Sequence, residues 1–177
     1  MGKHYENGRS KGVQAAYEWL EALGSAIIIA MILFTFVIRV NEVKGDSMLP
    51  NYREGMRVIV QTIAYQPAAG DVVVIDATNT PLDEFVIKRV IATEGQTVDF
   101  DAFGGVLVDG VPLDESAYLD SVETYAYDLE FPQTVPEGCV FVLGDNRGYS
   151  TDSRSSELGM IDARYVIGKV FLSFGGA

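Results

Sequence analysis

A mainly β, antiparallel domain behind a single N-terminal transmembrane helix is the architecture this 177-residue sequence predicts. Three observations predict it. One uncharged apolar run lies near the N-terminus, short β-rich runs with turn residues between them follow position 40, and no helical period returns after that point. The composition agrees: 48% hydrophobic and 21% charged residues form a core, not a disordered chain.

The helix comes first. Residues 22–38 carry no charge and are bracketed by Glu21 and Arg39. A 17-residue helix covers about 26 Å, the short end of what crosses a bilayer. Tyr17 and Trp19 are interfacial types, and Arg39 can snorkel. A buried core helix would show a polar stripe, which this run lacks. A cleaved signal peptide would end at a small-x-small site, but this run ends Phe36-Val37-Ile38-Arg39-Val40. The segment therefore reads as an uncleaved anchor over 21–40. It follows a cytoplasmic tail, 1–20, with Lys3, Arg9 and Lys11, and precedes an extracytoplasmic domain, 41–177. The expected location is the cell membrane, with a single pass and the N-terminus inside.

Strands are expected over 57–61, 71–76, 85–92, 105–108, 140–143 and 165–171. Residues 106–113 read as a hairpin with Asp109-Gly110 at its tip, a type I′ signature. Residues 114–137 are acidic, Tyr-rich and irregular, the main part of a flap-like insertion over about 100–137. Its tyrosines read as packing rather than as a binding surface.

Several function classes drop out. The 13 basic residues stand against 25 acidic ones, a net charge of -12 that argues against nucleic-acid binding. The one cysteine, Cys139, leaves no internal disulfide and no multi-cysteine metal site; it reads as a buried structural thiol. The one histidine, His4, sits in the polar tail, which argues against a Ser-His-Asp arrangement. No motif calls for a metal or a cofactor.

Three segments can carry chemistry. Gly45-Asp46-Ser47-Met48-Leu49-Pro50 is a tight turn presenting a hydroxyl; taken by itself it reads first as an ordinary turn serine, and it is not the Gly-x-Ser-x-Gly elbow. Met48 and Leu49 either touch the membrane interface or pack beneath the turn. Lys88 stands in an apolar strand, on one face with Val86 and Val90. It is either an edge-strand gatekeeper or a desolvated lysine whose neutral amine is accessible near neutral pH. The third segment, 141–154, is rich in turn formers. A calcium loop fails there, because Arg147 takes the third ligand position and Ser156 the twelfth. Asp145 with Arg147, and Asp152 with Arg154, read as internal ion pairs that stiffen the loop. Without a usable histidine, the base for a serine nucleophile is a lysine or a carboxylate.

Five ordered stretches now carry a resemblance. They are the N-terminal anchor, Gly45–Pro50, Gly70-Asp-Val-Val-Val74, Phe85-Val-Ile-Lys-Arg-Val-Ile91, and Gly144-Asp-Asn-Arg147 with Ser150-Thr-Asp-Ser-Arg154. The chain resembles bacterial type I signal peptidases over most of 25–172, and its size and reduced insertion look Gram-positive. That family consists of membrane-anchored serine-lysine endopeptidases that remove signal peptides from exported preproteins, on an antiparallel β fold shared with LexA-like proteins.

By that resemblance Ser47 is the nucleophile and Lys88 the general base. Ser150 supplies the hydroxyl that orients the lysine. Asp152 and Arg154 are the supporting ion pair, with Asp145 and Arg147 in the same loop. Gly45, Ser47 and Met48 form the substrate turn, and the Ser47 backbone N–H is an oxyanion donor. The side-chain hydroxyl that some relatives place two residues earlier is replaced by Gly45. Further departures are Asn51 after Pro50 and Met56 after Gly55. The expected partners are the lipid bilayer and signal peptides with small residues at -1 and -3, bound as an added β-strand. Two other readings are a non-catalytic peptide-binding β module on the same anchor and a LexA-type self-cleaving regulator. The second wants a DNA-binding domain, where this chain has an apolar helix and net negative charge.

Overall fold

The computed structural model describes residues 11–36, 38–120 and 123–176. The expectations for Lys3, His4, Arg9 and Val37, and for two positions of the insertion, lie outside the described residues. The chain divides into two units at Val37/Ile38.

The first unit is helix α1, Lys11–Phe36. It reaches ten residues ahead of the expected anchor, where Gln14, Ala15, Ala16, Glu18, Leu20 and Glu21 are good helix formers and no proline intervenes. Over Lys11–Ile32 it is long and apolar enough to cross a membrane. Trp19, Leu20, Leu23 and Ile27 to Ile29 are all exposed.

The second unit is built on antiparallel strands. The larger sheet takes β1 (Ile38–Glu42), β2 (Arg57–Gln61), β3 (Val72–Asp76), β4 (Phe85–Thr93), β9 (Cys139–Leu143), β10 (Ile161–Asp162) and β11 (Val166–Phe174). Their spatial order is β1-β2-β11-β3-β4-β9-β10. All six strands read from the sequence are present, 57–61 with the same ends and the others with ends shifted by at most three residues. Strand β1 occupies the stretch where the sequence suggests the end of the anchor. Ile38 and Val40 alternate with Arg39 and Asn41, the period of a strand, and pair with Gln61 and Ile59 on β2.

The insertion is more ordered than a flap. Strands β5 (Thr97–Phe100), β6 (Val106–Val108), β7 (Val111–Pro112) and β8 (Gln133–Thr134) form a second sheet in the order β7-β6-β5-β8. The tip expected from Asp-Gly is there: Asp109 and Gly110 both hold positive φ, 53° and 75°. The described residues between β7 and β8 carry no strand or helix.

Three apolar clusters hold the domain. Val73, Ile75, Val86, Val90 and Val142 form one. Val43, Met48, Val58, Val60, Val74 and Ile87 form another. Ile91, Val98, Val106, Phe141 and Leu143 join the two sheets in the third. Strand β4 is buried from Val86 to Ala92 and contributes to all three. Anything polar on it is therefore held in place by packing on both sides.

Candidate active site

Ser47 stands in a turn that packing fixes from below. Gly45 enters it with φ 69°, a left-handed conformation that favours glycine. Leu49 N–H donates to the Asp46 carbonyl, and Tyr52 N–H to that of Met48. The Met48 side chain is 1% exposed, buried among Val43, Val58 and Val74. Of the two readings of Met48, packing beneath the turn is the one the structure shows. Leu49 is half-buried.

Lys88 projects from the middle of β4, opposite the buried Val73 of β3. It is 3% exposed, and its Nζ donates to Ser47 Oγ at 2.7 Å. Burial pushes its pKa down from 10.5 to about 8, with Arg154 adding to the fall and Asp152, Glu84 and Asp145 opposing it. Of the two readings of Lys88, the desolvated lysine fits this environment; a gatekeeper would sit exposed at a sheet edge.

The 144–154 loop leaves β9 and docks against the serine turn. Asn146 N–H donates to the Ser47 carbonyl at 2.9 Å, and Asn146 Nδ2 to the Asp46 carbonyl at 3.0 Å. Gly144 makes this approach possible. A Cβ there would lie 2.5 Å from the Ser47 carbonyl and still closer to Ser150 Oγ. Asp152, wholly buried, accepts from Gly144 N–H at 3.0 Å and from Arg154 Nε and Nη2 at 2.8 Å each. The expected Asp152–Arg154 pair is thus present.

The expected Asp145–Arg147 pair is not. Asp145 receives Arg89 Nε and Nη2 at 2.8 and 2.7 Å, and Arg147 pairs with Glu115 from the insertion. Neither residue takes the partner nearest in sequence. Strand β4 instead places Arg89, 8% exposed, where it needs an anion, and Asp145 is the carboxylate that reaches it. The sequence held a signal for this, since two adjacent cations in an apolar strand point to opposite faces and both need partners. Glu115 gave no such signal.

Ser150 is buried beside Gly144 and lines the same cavity as Ser47 and Lys88. Its Oγ has no hydrogen-bond partner among the described residues. The lysine-orienting contact that the resemblance implies is therefore not formed here. The cavity measures about 500 Å³. Gly45 and Ser47 form part of its wall, and Glu84, Phe85, Tyr127 and Tyr149 line it further. Cys139 is half-buried at the start of β9, with its thiol pKa raised by burial, which keeps it protonated.

A buried amine with a lowered pKa, in contact with a hydroxyl on a glycine-opened turn, can remove a proton from that hydroxyl. The family model for signal peptidases, peptidase S26, matches residues 16–174. This chain belongs to the S26 signal peptidase family. Membership makes it a serine peptidase. Signal peptidase I of Leptolyngbya laminosa is 34% identical over 166 residues, spanning 89% of this chain and 78% of the relative. Signal peptidase IB of Staphylococcus aureus is 32% identical over 181 residues, spanning 89% and 88%. A crystal structure of signal peptidase I from Enterococcus faecalis is 32% identical, with a TM-score of 0.47 over 60% of this chain and 97% of that one.

Proposed function

We propose that this S26 peptidase cuts signal peptides from exported preproteins through a Ser47–Lys88 dyad and an acyl-enzyme. The observation that carries the reading is the 2.7 Å contact between the buried Lys88 amine and Ser47 Oγ. Neutral Lys88 takes the hydroxyl proton as Ser47 Oγ attacks the scissile carbonyl. The new ammonium gives that proton to the leaving amine as the peptide bond breaks. The amine then deprotonates a water, which attacks the ester and frees the acid product and Ser47. The Ser47 backbone N–H supplies one oxyanion donor; Gly45, two residues earlier, has no side-chain hydroxyl to serve as a second, so any second donor is backbone or water. Ser150 Oγ, without a partner, is free to take up the Lys88 amine once Ser47 is acylated.

Helix α1 is assigned as the anchor, with the tail inside the cell and the β domain outside. The chain from Arg39 to Ser47 spans at most about 26–29 Å, which tethers the site close to the outer face of the bilayer. A signal peptide's cut site emerges there. The preference for small residues at -1 and -3 comes with the family resemblance.

The test is cleavage of a labelled preprotein by membranes carrying each variant, with N-terminal sequencing of the product. Ser47→Ala and Lys88→Ala lower the rate by ~10³-fold or more. Lys88→Arg fails equally, because a guanidinium holds its proton. Undiminished cleavage by any of the three overturns the dyad.

A further inference from the structure

From residue 90 to 146 the sequence holds twelve Asp or Glu and no Lys or Arg. The insertion therefore cannot neutralise its own carboxylates. Three arginines of the catalytic side meet it, and of these only Arg147 takes one of its carboxylates. The Arg89 guanidinium stacks on the Tyr118 ring at 3.9 Å. Arg154 stacks on Tyr127 at 4.1 Å, and its Nη1 donates to the Tyr125 carbonyl at 3.2 Å. Arg147, 1% exposed, is held from the insertion by Thr124 Oγ1 at 2.7 Å and by both carboxylate oxygens of Glu115.

Arg147 joins this insertion to the reacting groups. Its Nε donates to the Gly144 carbonyl at 2.9 Å, and its own carbonyl accepts from Tyr127 Oη at 2.7 Å and Arg154 Nη2 at 2.8 Å. Gly144 lies against the Ser47 carbonyl and Ser150, and its N–H is held by Asp152. A shift of Arg147 thus moves the Gly144 turn and, through Asn146, the backbone of Ser47.

We propose that Glu115 is a positioning residue for the peptidase reaction: through Arg147 it clamps the Gly144 turn so that Ser47 and Lys88 stay in reacting geometry. The proposal rests on the dyad reading above. Glu115 touches neither Ser47 nor Lys88; it acts by fixing an arginine that would otherwise be buried without a carboxylate. A bidentate guanidinium–carboxylate pair suits this, since it fixes orientation as well as distance.

The experiment uses the detergent-solubilised full chain. It measures kcat and KM on a labelled preprotein, the rate at which a serine-directed acylating inhibitor modifies the enzyme, and the thermal midpoint. Displacement by a fraction of an ångström to 1 Å lowers kcat and the acylation rate of Glu115→Ala by ~10–100-fold while KM stays within ~2-fold. Glu115→Gln, which keeps an acceptor, recovers most of the loss. Thr124→Val, which removes a single contact, lowers kcat a few-fold, and it decides the matter if Glu115→Ala does not fold. An active parent with unchanged kcat in Glu115→Ala, or in Thr124→Val where the first does not fold, overturns the clamp and leaves the dyad standing. So does a loss that falls wholly on KM, or one that follows the unfolded fraction at the assay temperature. A parent that is inactive and never acylated at Ser47 overturns the dyad reading, and the clamp with it.

Discussion

Lys88 performs its proposed role at the expense of stability. Its pKa falls from 10.5 to about 8 because the fold strips water from the amine. The unfolded chain binds the proton more tightly, so below pH 8 the protonated amine costs the folded state about 3 kcal/mol. That cost fades between pH 8 and 10.5 and is absent above 10.5. Replacing Lys88 with methionine, which fills similar volume without charge, should therefore raise the urea midpoint at pH 7 by an amount equal to about 1–3 kcal/mol. The gain over the parent should shrink as pH rises through 8 to 10.5. Activity should move the opposite way in the parent, with kcat/KM halved near pH 8 and falling about tenfold per unit below it. A flat profile between pH 6 and 9, or a Lys88→Met protein less stable than the parent at pH 7, would show that the amine is not neutralised by burial. Ser47 and Lys88 stood out in the sequence, a hydroxyl in a glycine-opened turn and a cation among Val and Ile, but only the family resemblance gave them roles; taken alone, the serine read first as an ordinary turn residue. Their contact could not be read from spacing, since a 41-residue separation says nothing about approach until Met48 packs with Val74 and Ile87 and seats the turn over β4.

At the scale of elements, strand runs were legible wherever β-branched residues met turn residues, as in β2, β3, β4 and β9. Strand β1 was hidden because its alternation abuts an apolar helix. The short strands of the second sheet were partly hidden, because two or three residues carry almost no period. Ion-pair partners were hidden for another reason: Asp145 chose Arg89 and Arg147 chose Glu115, 56 and 32 residues away, over a neighbour in the same loop. The centre of the sheet also depends on a position whose role is invisible in sequence. Strand β11 lies between β2 and β3, and its register with β3 shifts between Val166 and Gly168. A Cβ on Gly168 would come within 2.0 Å of the Gln61 carbonyl, a backbone atom that cannot swing aside. Gly168→Ala must push β2 from β11 and should destabilise the domain by about 2–4 kcal/mol, read as a lower urea midpoint. A midpoint within error of the parent would mean the two strands have room the structure does not show.

Over the whole molecule, the net charge of -12 is unevenly placed. Residues 1–40 hold four basic and three acidic residues, and residues 41–177 hold nine and 22. The β unit begins at Ile38 and contains its own three clusters, so it does not need α1 to bury its core. The helix, in turn, carries exposed isoleucine and leucine along its length. With α1 as the proposed anchor, the helix gives the β unit a location, and the direction of insertion decides whether the peptidase meets exported substrates. Lys3, Arg9 and Lys11 before the apolar stretch favour an inside N-terminus, and the proposed orientation puts the 137 residues from 41 to 177, with 22 Asp and Glu, outside. Protease added to intact spheroplasts should therefore digest the β domain while an epitope fused ahead of Met1 stays protected until lysis. The reverse pattern, with the domain protected and the N-terminal epitope lost, would put Ser47 on the wrong side of the membrane for a preprotein peptidase, however well its geometry suits the chemistry.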